Sequence, residues 1–471
     1  MNERARTDTL EATLDAMRAA HARDPLPEWP VRARRLRALL ALMHDNREAI
    51  GAAIDADFGR RSREETDLLE IFPSTSAIHH ALGHGRRWMR PRRHWANVWF
   101  LPARTEIRPQ PLGVVGIIAP WNYPLYLTAG PMVDALAAGN RVMLKLSELT
   151  PQFSALFAEL VAKYFEPDEV SVVNGDADVG RAFAALPFDH LLFTGSTNVG
   201  RHVMAAAAAN LTPVTLELGG KSPALIGPEA RFAHAVERIV VGKLMNAGQT
   251  CIAPDYVLLP RAQLQAFVDE ARTVAERLYS ALPANPQYSS IASVRHYERL
   301  LALRDDAIAA GAKEHVLGTS NGDATARTIP PILLTGVHDG MQVMQQEIFG
   351  PLLPLMPYDT LDGALAYIAS HPHPLSLYVF DESRATIDTV LARTQAGGVT
   401  VNDTILHIAQ HSLPFGGAGA SGMGVYHGEA GFRTFSHMKP VMRQARFNFV
   451  GLLNPPYGTK FRALLKLLLR R

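Results

Sequence analysis

Apolar residues recur at three- and four-residue intervals through the first 80 positions of the chain. The stretch "LRALLALMHDNREAIGAAIDADF" shows the pattern, and this interval is that of an amphipathic helix. Residues 10–80 are therefore predicted to form packing helices. From 95 to 113 the interval is lost, and aromatic and β-branched residues surround a proline. This change predicts an extended arm or hairpin, an element that often pairs with another subunit.

Five apolar runs then alternate with helical stretches. They predict strands at residues 114–120, 141–147, 169–175, 189–195 and 212–220. A second, looser alternation follows residue 251, with strands near "HVLG", "PPILLTGV" and "LSLYVF". Continuous apolar strands separated by helices are typical of a parallel sheet covered on both faces. We therefore predict an α/β protein with two doubly wound lobes, whose ligands bind beyond the carboxyl ends of the strands.

Two segments lack this alternation. Residues 413–428, "LPFGGAGASGMGVYHG", are rich in glycine and have no period, which predicts a surface loop. The last residues, "KFRALLKLLLRR", are basic and leucine-rich, so they could lie on a membrane surface as an amphipathic helix. Packing of this helix on the protein itself or on a partner subunit is the commoner fate. No run reaches the roughly 20 apolar residues that cross a bilayer.

Composition narrows the classes of function. The 47 basic and 45 acidic side chains leave a formal charge of +2, which gives no reason to expect a nucleic-acid partner. A small substrate is predicted instead. The single cysteine excludes an intrachain disulfide, and the first residues, "MNERARTDTLEATLDAMRAA", lack the apolar region of a secretion signal. These features predict a cytoplasmic protein.

Three motifs could carry chemistry. Cys251 lies in "NAGQTCIAP", a small, polar, turn-rich setting that suits a nucleophile, although a lone cysteine is often a small buried hydrophobe. Asn122 in "APWNYP" follows the first predicted strand and could donate to an oxyanion or be a turn residue. Glu217 in "LELGGKSP" ends an apolar strand, so it is either ion-paired or a base with a raised pKa.

Other motifs suggest a dinucleotide site. Lys145 and Glu148 in "KLSE" follow the second predicted strand, where they could bind ribose or form a solvated ion pair. The turn "FTGSTNVG" could carry a pyrophosphate at a helix N-terminus, although it does not match G-x-G-x-x-G. His407 and His411 are four residues apart but lack the glutamate of a zinc protease, so no metal site is predicted.

Seven motifs together resemble the aldehyde dehydrogenase superfamily in their order and spacing. They are "PWNYP", "KLSE", "FTGSTNVG", "LELGGKSP", "GQTC", "QEIFGP" and "LPFGG…SGMG". The resemblance runs from about Trp29 to about Met442 and is closest to the class-three branch. Two segments, "VGKLMNAGQTCIAPDYVLLP" and "VTVNDTILHIAQHSLPFGG", are most similar to bacterial coniferyl-aldehyde dehydrogenases.

The resemblance implies roles for the motif residues. Cys251 would be the nucleophile, Asn122 the oxyanion donor and Glu217 the base, a role that Glu347 would share while it also contacts the nicotinamide ribose. The other cofactor-binding residues would be Lys145 and Glu148 at the adenosine ribose, Gly195, Ser196 and Gly200 at the pyrophosphate, and Phe349 beside the nicotinamide. The aldehyde entrance would be lined by Tyr123, Ile405, Ile408, Phe415 and His427.

The implied activity is NAD(P)-dependent oxidation of an aldehyde to the free carboxylic acid through a cysteine thiohemiacetal and thioester. Coniferaldehyde or a similar phenylpropenal is the expected substrate, and medium- or long-chain aliphatic aldehydes are the alternative. A cofactor-independent thiol esterase could use the same residues. Glu148 favours NAD, with NADP still possible. Leu146 replaces the usual proline, which is expected to loosen the strand end.

The resemblance also implies a division of the chain. Residues 1–80 and 109–214 would form the dinucleotide-binding domain, and 215–401 the catalytic domain. Residues 81–108 and 402–445 would form an oligomerisation arm, as in class-three homodimers, and 446–471 a C-terminal tail.

Overall fold

The computed structural model describes residues 3–319, 322–448 and 450–469. Its N-terminal region is helical, as the spacing of apolar residues predicts, and a π-helical segment, Asp67–Ile71, joins α4 to α5. The helices are α1 (Glu3–Arg23), α2 (Trp29–Asp45), α3 (Arg47–Phe58), α4 (Arg63–Thr66) and α5 (Phe72–Trp88). The buried apolar side chains of α2, α3 and α5 pack in one core with the first sheet.

The predicted hairpin follows these helices. It consists of β1 (Arg92–His94) and β2 (Arg104–Pro111), which pair antiparallel. Most of its side chains are at least partly exposed, and Trp95 in the connection is 99% exposed.

Five parallel strands come next, each inside its predicted range. They and their connecting helices are β3 (Val114–Ile118), α6 (Tyr126–Ala138), β4 (Arg141–Lys145), α7 (Pro151–Tyr164), β5 (Val170–Val173), α8 (Ala177–Ala184), β6 (His190–Thr194), α9 (Thr197–Ala208) and β7 (Val214–Glu217). They lie in the order β7-β6-β3-β4-β5. The chain thus runs outward from β3 to β5 and then returns to β6, on the other side of β3. Such a reversal leaves a crevice between the loops that follow β3 and β6.

The second lobe contains a seven-stranded sheet. Its elements are β8 (Pro223–Ile226), α10 (Phe232–Leu244), β9 (Tyr256–Pro260), α11 (Leu264–Leu278), α12 (Val294–Ala309), β10 (Lys313–Val316), β11 (Ile332–Thr335), α13 (Gln342–Gln345), β12 (Leu352–Tyr358), α14 (Leu361–Ala369), β13 (Ser376–Phe380), α15 (Arg384–Arg393) and β14 (Gly398–Val401). The order is β10-β11-β12-β9-β8-β13-β14, and only β10 is antiparallel to its neighbour. The predicted α/β architecture with two lobes is confirmed. Strands β8, β9, β12 and β14 were not predicted, and the prolines in the first three weaken their strand pattern.

The last part of the chain returns to both earlier sheets. Its elements are β15 (Gly422–Met423), α16 (Gly428–Thr434), β16 (Ser436–Arg443) and α17 (Thr459–Leu468). β15 pairs antiparallel with β7, so that Gly422 lies opposite Glu217, and β16 pairs with β2 along the arm.

The prediction of a surface loop at 413–428 is therefore wrong in part. β15 is a sixth strand of the first sheet, and Phe415, Ser421, Tyr426 and His427 are buried. Glycine content and lack of a period could not reveal a partner strand two hundred residues away in the sequence. Within the described residues, no helix is both long enough and apolar enough to span a bilayer.

Candidate active site

Cys251 follows an unusual turn at the end of α10. Asn246, Ala247 and Gly248 have φ angles of 52°, 49° and 77°, so three consecutive residues adopt the left-handed conformation. A Cβ on Gly248 would lie 2.3 Å from the carbonyl oxygen of Gly350, so only glycine fits there. The Gln249 side chain donates to the Asn246 carbonyl at 3.0 Å and secures the turn. Cys251, partly exposed, therefore stands on a rigid loop.

Asn122 in the loop after β3 lies against this turn. Its Nδ2 donates to the carbonyl of Gln249 at 3.1 Å, and its own carbonyl accepts from Asn246 Nδ2 at 3.0 Å. The hydroxyl of Tyr123 bonds to Thr250 Oγ1 at 2.6 Å, which ties the same two loops once more. A carboxamide has two N–H groups, so Asn122 has a second one to offer an oxyanion.

Glu217, at the end of β7, is 3% exposed, and neither of its carboxylate oxygens has a hydrogen-bond partner among the described residues. Burial raises its pKa well above the ordinary value. Of the two alternatives for this residue, an ion pair is thus excluded within the described part of the chain. A carboxyl group that is neutral at rest fits this environment, and it can act as a base once it has released its proton.

Glu347 reaches the same region from the segment before β12. The backbone N–H of Gly220 donates to its carboxylate, and a Cβ on Gly219 would lie only 1.9 Å from Oε2. Burial and the charge of Asp255 raise the pKa of Glu347 to about 8, against the opposing effects of Lys221 and Arg299.

The Cys251 thiol is electrostatically coupled to both carboxyl groups. Burial raises its pKa, and Glu347 and Glu217 raise it further, while the backbone N–H groups of Cys251 and Ile252 act in the opposite sense. The resting thiol is therefore protonated at neutral pH. A base must remove its proton when it reacts, because the thiolate is the nucleophile.

The predicted cofactor residues lie along the carboxyl edge of the first sheet. Lys145 ends β4 and is 3% exposed, with Nζ 2.7 Å from the Leu146 carbonyl and 3.5 Å from Oε2 of Glu148, which is 47% exposed on its side chain. Ser196 caps α9 by accepting from the N–H of Val199. A Cβ on Gly195 would lie 2.5 Å from the Phe193 ring. A glycine turn at the N-terminus of a 12-residue helix such as α9 fits a pyrophosphate.

Two further predictions concern this edge. A Cβ on Gly200 would lie 2.6 Å from the Leu218 side chain. Glycine at this position therefore lets α9 pack closely behind the turn. The loosening expected at Leu146 stays a prediction; the N–H of Leu146 donates to the Val173 carbonyl at 3.4 Å, a bond that proline could not make.

Phe349 lies in the segment between α13 and β12, which also carries Glu347. It is a non-glycine residue at φ 54°, a strained conformation, and its ring meets Trp121 edge-on with 5.5 Å between centroids. Trp121 is the neighbour of Asn122. Phe349 therefore lies next to the loop after β3.

Four of the five predicted entrance residues lie in two groups of contacting side chains. Tyr123 and Ile408 share a small apolar cluster with Tyr126, whose hydroxyl donates to the Ile408 carbonyl at 3.2 Å. Phe415 stacks on His427 at 5.4 Å, and His427 Nε2 lies 3.3 Å from the Tyr126 hydroxyl. Burial lowers the pKa of His427 to about 3, so this ring is neutral. Ile405 is buried nearby in the same core.

Several residues at the site were not predicted. They are Arg61, Glu65 and Glu70 behind the Asn122 loop, and Lys243 and Asp255 near Glu347. A nearby cleft of about 270 Å³ was not predicted either. It is lined by Ser62, Glu64, Glu65, Leu68, Leu69, Val241, Met245, Leu278, Tyr279 and Gln287. Met245 lies in the turn before Cys251. Arg61, Glu65, Glu70 and Lys243 fall in helical patterns, where charged residues look solvated, so only their contacts in the fold distinguish them.

Comparisons with known proteins agree with one another. A profile described as "Aldehyde dehydrogenase family" matches residues 2–441. The chain is 50% identical to the "Probable coniferyl aldehyde dehydrogenase" of Pseudomonas aeruginosa, over 97% of this chain and 95% of that one. It is 47% identical to the "Coniferyl aldehyde dehydrogenase" of Pseudomonas sp. strain HR199, over 98% and 96%. A substrate-bound structure of Staphylococcus aureus AldH superposes with a TM-score of 0.92 at 35% identity, over 97% and 99%.

Proposed function

Because the chain belongs to the aldehyde dehydrogenase family, we propose that Cys251 is its nucleophile, Asn122 its oxyanion donor, and Glu217 with Glu347 its bases. Membership makes the protein an NAD(P)-dependent oxidoreductase that acts on aldehydes. The observation that carries the assignment of residues is the placement of the Cys251 thiol beside two buried carboxyl groups and the Asn122 loop.

The first step forms a bond between sulfur and carbon. The Cys251 thiol loses its proton to a carboxylate, and the thiolate adds to the aldehyde carbonyl. The carbonyl π electrons move to oxygen, where Asn122 Nδ2 and the backbone N–H of Cys251 stabilise the negative charge. Donors fixed by the turn need no reorganisation as this charge develops.

Oxidation of this adduct requires a hydride acceptor, which NAD(P) supplies when it is bound. The residues that would hold it are Lys145, Glu148, Gly195, Ser196, Gly200, Glu347 and Phe349. The cysteine then carries a thioester. Glu217, which lacks a partner among the described residues, removes a proton from water; the water oxygen bonds to the acyl carbon, the C–S bond breaks and sulfur regains a proton. The product is the free acid.

The substrate we propose is a phenylpropenal such as coniferaldehyde. The two Pseudomonas relatives carry coniferyl aldehyde in their names. Tyr123 and Tyr126, which interact electrostatically with the Cys251 thiol, and the stacked pair of Phe415 and His427 offer largely aromatic side chains, and the cleft at Met245 adds both apolar and polar groups. A planar ring with a phenolic hydroxyl suits such a lining.

Steady-state kinetics over an aldehyde panel tests this substrate. Coniferaldehyde should exceed both hexanal and acetaldehyde in kcat/KM. A higher value for hexanal would favour the aliphatic alternative and discard the aromatic surface, without touching the role of Cys251. Ester hydrolysis without any NADH formation from aldehydes would favour the thiol esterase.

Trapping of the acyl group tests the nucleophile. With NAD and coniferaldehyde, the E217Q variant should accumulate an acyl adduct on Cys251, detectable as added mass on the peptide that contains it. C251A should show neither the adduct nor NADH formation. Turnover by C251A would overturn the assignment.

NAD rather than NADP is the proposed preferred cofactor. The Glu148 carboxylate, half-exposed beside Lys145, would repel a 2′-phosphate on the adenosine ribose. E148A should therefore raise kcat/KM for NADP relative to NAD. An unchanged ratio would contradict this placement.

We also propose that the protein is a cytoplasmic homodimer in which the arm of β1, β2 and β16 meets a second copy. Both outer strands of this three-stranded sheet have an edge without a partner strand in the described chain, and unpaired edges favour pairing with another chain. Exposed aromatic residues of the same arm, Trp95, Trp99 and Phe100, support a protein partner.

A further inference from the structure

Arg61 is a fully buried arginine behind the loop that carries Asn122. Its guanidinium lies between the rings of Phe58 and Tyr123, 4.9 Å from each centroid. Nη1 donates to the Asn122 carbonyl at 3.1 Å and lies 2.8 Å from Oε1 of Glu70. The arginine thus contacts the backbone of the oxyanion donor itself.

Glu70 holds the other end of the same loop. Its Oε2 accepts from the backbone N–H of Leu125 at 2.7 Å and of Tyr126 at 3.2 Å. Glu70 belongs to the π-helical segment Asp67–Ile71, and such an extra residue in a helix turns side chains away from their α-helical direction. The segment places this carboxylate, which has no exposed surface, at the start of α6.

Glu65 extends the connection to the nucleophile loop. Its Oε1 accepts from the N–H of Asn246 at 2.6 Å, the first of the three left-handed residues before Cys251, and its Oε2 accepts from Ser289. One short stretch of chain, 61–70, therefore binds both the loop of Asn122 and the loop of Cys251.

We propose that Arg61, Glu65 and Glu70 are positioning residues, which form a buried ionic bridge that sets the Asn122 carboxamide at the proper place relative to the Cys251 sulfur. The inference rests on the oxyanion role proposed for Asn122. A buried ion pair stabilises little in net terms, since an apolar pair of the same volume often does as well. The bridge instead fixes geometry, and a displacement of about 1 Å can reduce a rate about a hundredfold.

Two reactions of the same thiol separate positioning from general damage. Aldehyde oxidation develops an oxyanion, whereas alkylation by iodoacetamide forms a C–S bond as iodide leaves and develops none. E70Q in the full-length protein should therefore lower kcat for aldehyde oxidation about ten- to a hundredfold. The alkylation rate of Cys251 should remain unchanged. Equal loss in both reactions, or loss in neither, would overturn the proposal.

Another buried ion pair provides the matched control. Glu169, before β5, accepts from Arg35 Nε at 2.9 Å and is also buried, at 5% exposure, but it contacts neither loop. E169Q should lower the unfolding midpoint as E70Q does and leave kcat unchanged. If E169Q lowered kcat as much as E70Q, the effect would be one of stability and the bridge would carry no positioning role.

A double variant keeps the proposal testable if E70Q does not fold. R61M/E70M removes both charges and keeps apolar volume, so it should fold and still show the lower kcat with normal alkylation. Wild-type kcat in this variant would overturn the bridge.

Coupling to Asn122 completes the test. N122A/E70Q should be no slower than N122A, because Glu70 acts through Asn122. Losses that multiply would contradict the bridge while leaving the oxyanion role in place. If N122A alone kept wild-type kcat, both the oxyanion role and the bridge would fall.

Discussion

The thiol and the two carboxyl groups of the site all hold protons more tightly than they would in water. Burial disfavours the charged form of each, and Glu347 and Glu217 raise the pKa of the thiol further. Glu347 is the one whose pKa, about 8, lies in an accessible range.

The pH dependence of turnover should report on Glu347. Below pH 8 this residue is a neutral acid, and above it a carboxylate that can accept a proton. If its ionisation limits turnover, kcat should rise about tenfold per pH unit below the inflection and level off above it. E347Q should remove the inflection near pH 8 in a profile measured from pH 6 to 10. Its persistence in E347Q would assign it to another group, and the profile of E217Q is the natural comparison.

Loss of the Asn122 carboxamide should affect the chemical step. N122A is expected to reduce kcat about a hundred- to a thousandfold, because one preorganised donor to the oxyanion is removed. The folded structure should persist, with a near-native unfolding midpoint. A raised KM at unchanged kcat would show that Asn122 binds the substrate rather than the charge that develops on it.

At the scale of elements, the turn before Cys251 decides how the site is presented. Left-handed backbone at Asn246 and Ala247 is costly for residues with a Cβ, yet both persist because Glu65, Gln249 and Asn122 all hydrogen-bond to this turn. The segment before β12 packs against the same turn, with the carbonyl oxygen of Gly350 next to Gly248.

Gly248 is the sensitive point of this turn. G248A should destabilise the protein by about 1–3 kcal/mol through its positive φ alone, with a further loss from the contact with Gly350, and should lower kcat. Gly83 in α5 is the matched control, because no atom lies within 4 Å of its Cβ position. G83A should stabilise by about 0.5–1 kcal/mol. Urea unfolding and steady-state kinetics measure both effects, and a fully active G248A would contradict the rigid-loop account.

At the scale of the whole molecule, the C-terminal region adds one strand to the first sheet and another to the arm sheet. β15 covers the edge at Glu217, and β16 joins the arm, so the C-terminal region connects the cofactor edge to the arm sheet. The exposed aromatic side chains of that arm are an apolar feature available to a second copy.

Removal of those side chains should weaken self-association. The wild-type protein is expected to be a dimer at micromolar concentration, and the W95A/W99A/F100A variant should weaken association at least about a hundredfold. L211A is the control, since Leu211 is 89% exposed but lies outside the arm. Light scattering after size-exclusion chromatography gives the mass. A monomeric wild type, or a triple variant that remains dimeric, would contradict the proposed interface.

The five parallel strands of the first sheet, the hairpin and the candidate nucleophile could be predicted from the sequence. Runs of apolar residues indicate these strands because a strand that is covered on both faces buries every one of its side chains, so each residue of the run is apolar. Cys251, Asn122 and Glu217 could be singled out because each sits in a short motif at a predicted strand end or turn. Their roles, and the division into domains, stay predictions.

Only the tertiary structure decided which side chains come into contact and in which direction their pKa values shift. It placed Gly422 and Met423 of the glycine-rich stretch 413–428 in a strand against β7 and left the Glu217 carboxylate unpartnered among the described residues. It also buried Arg61 and Glu70, with the partly buried Glu65, behind the two reactive loops. A charged residue in a helical pattern looks the same whether water or another loop covers it. Burial and pKa arise from contacts between segments far apart in the chain, and no local pattern contains them.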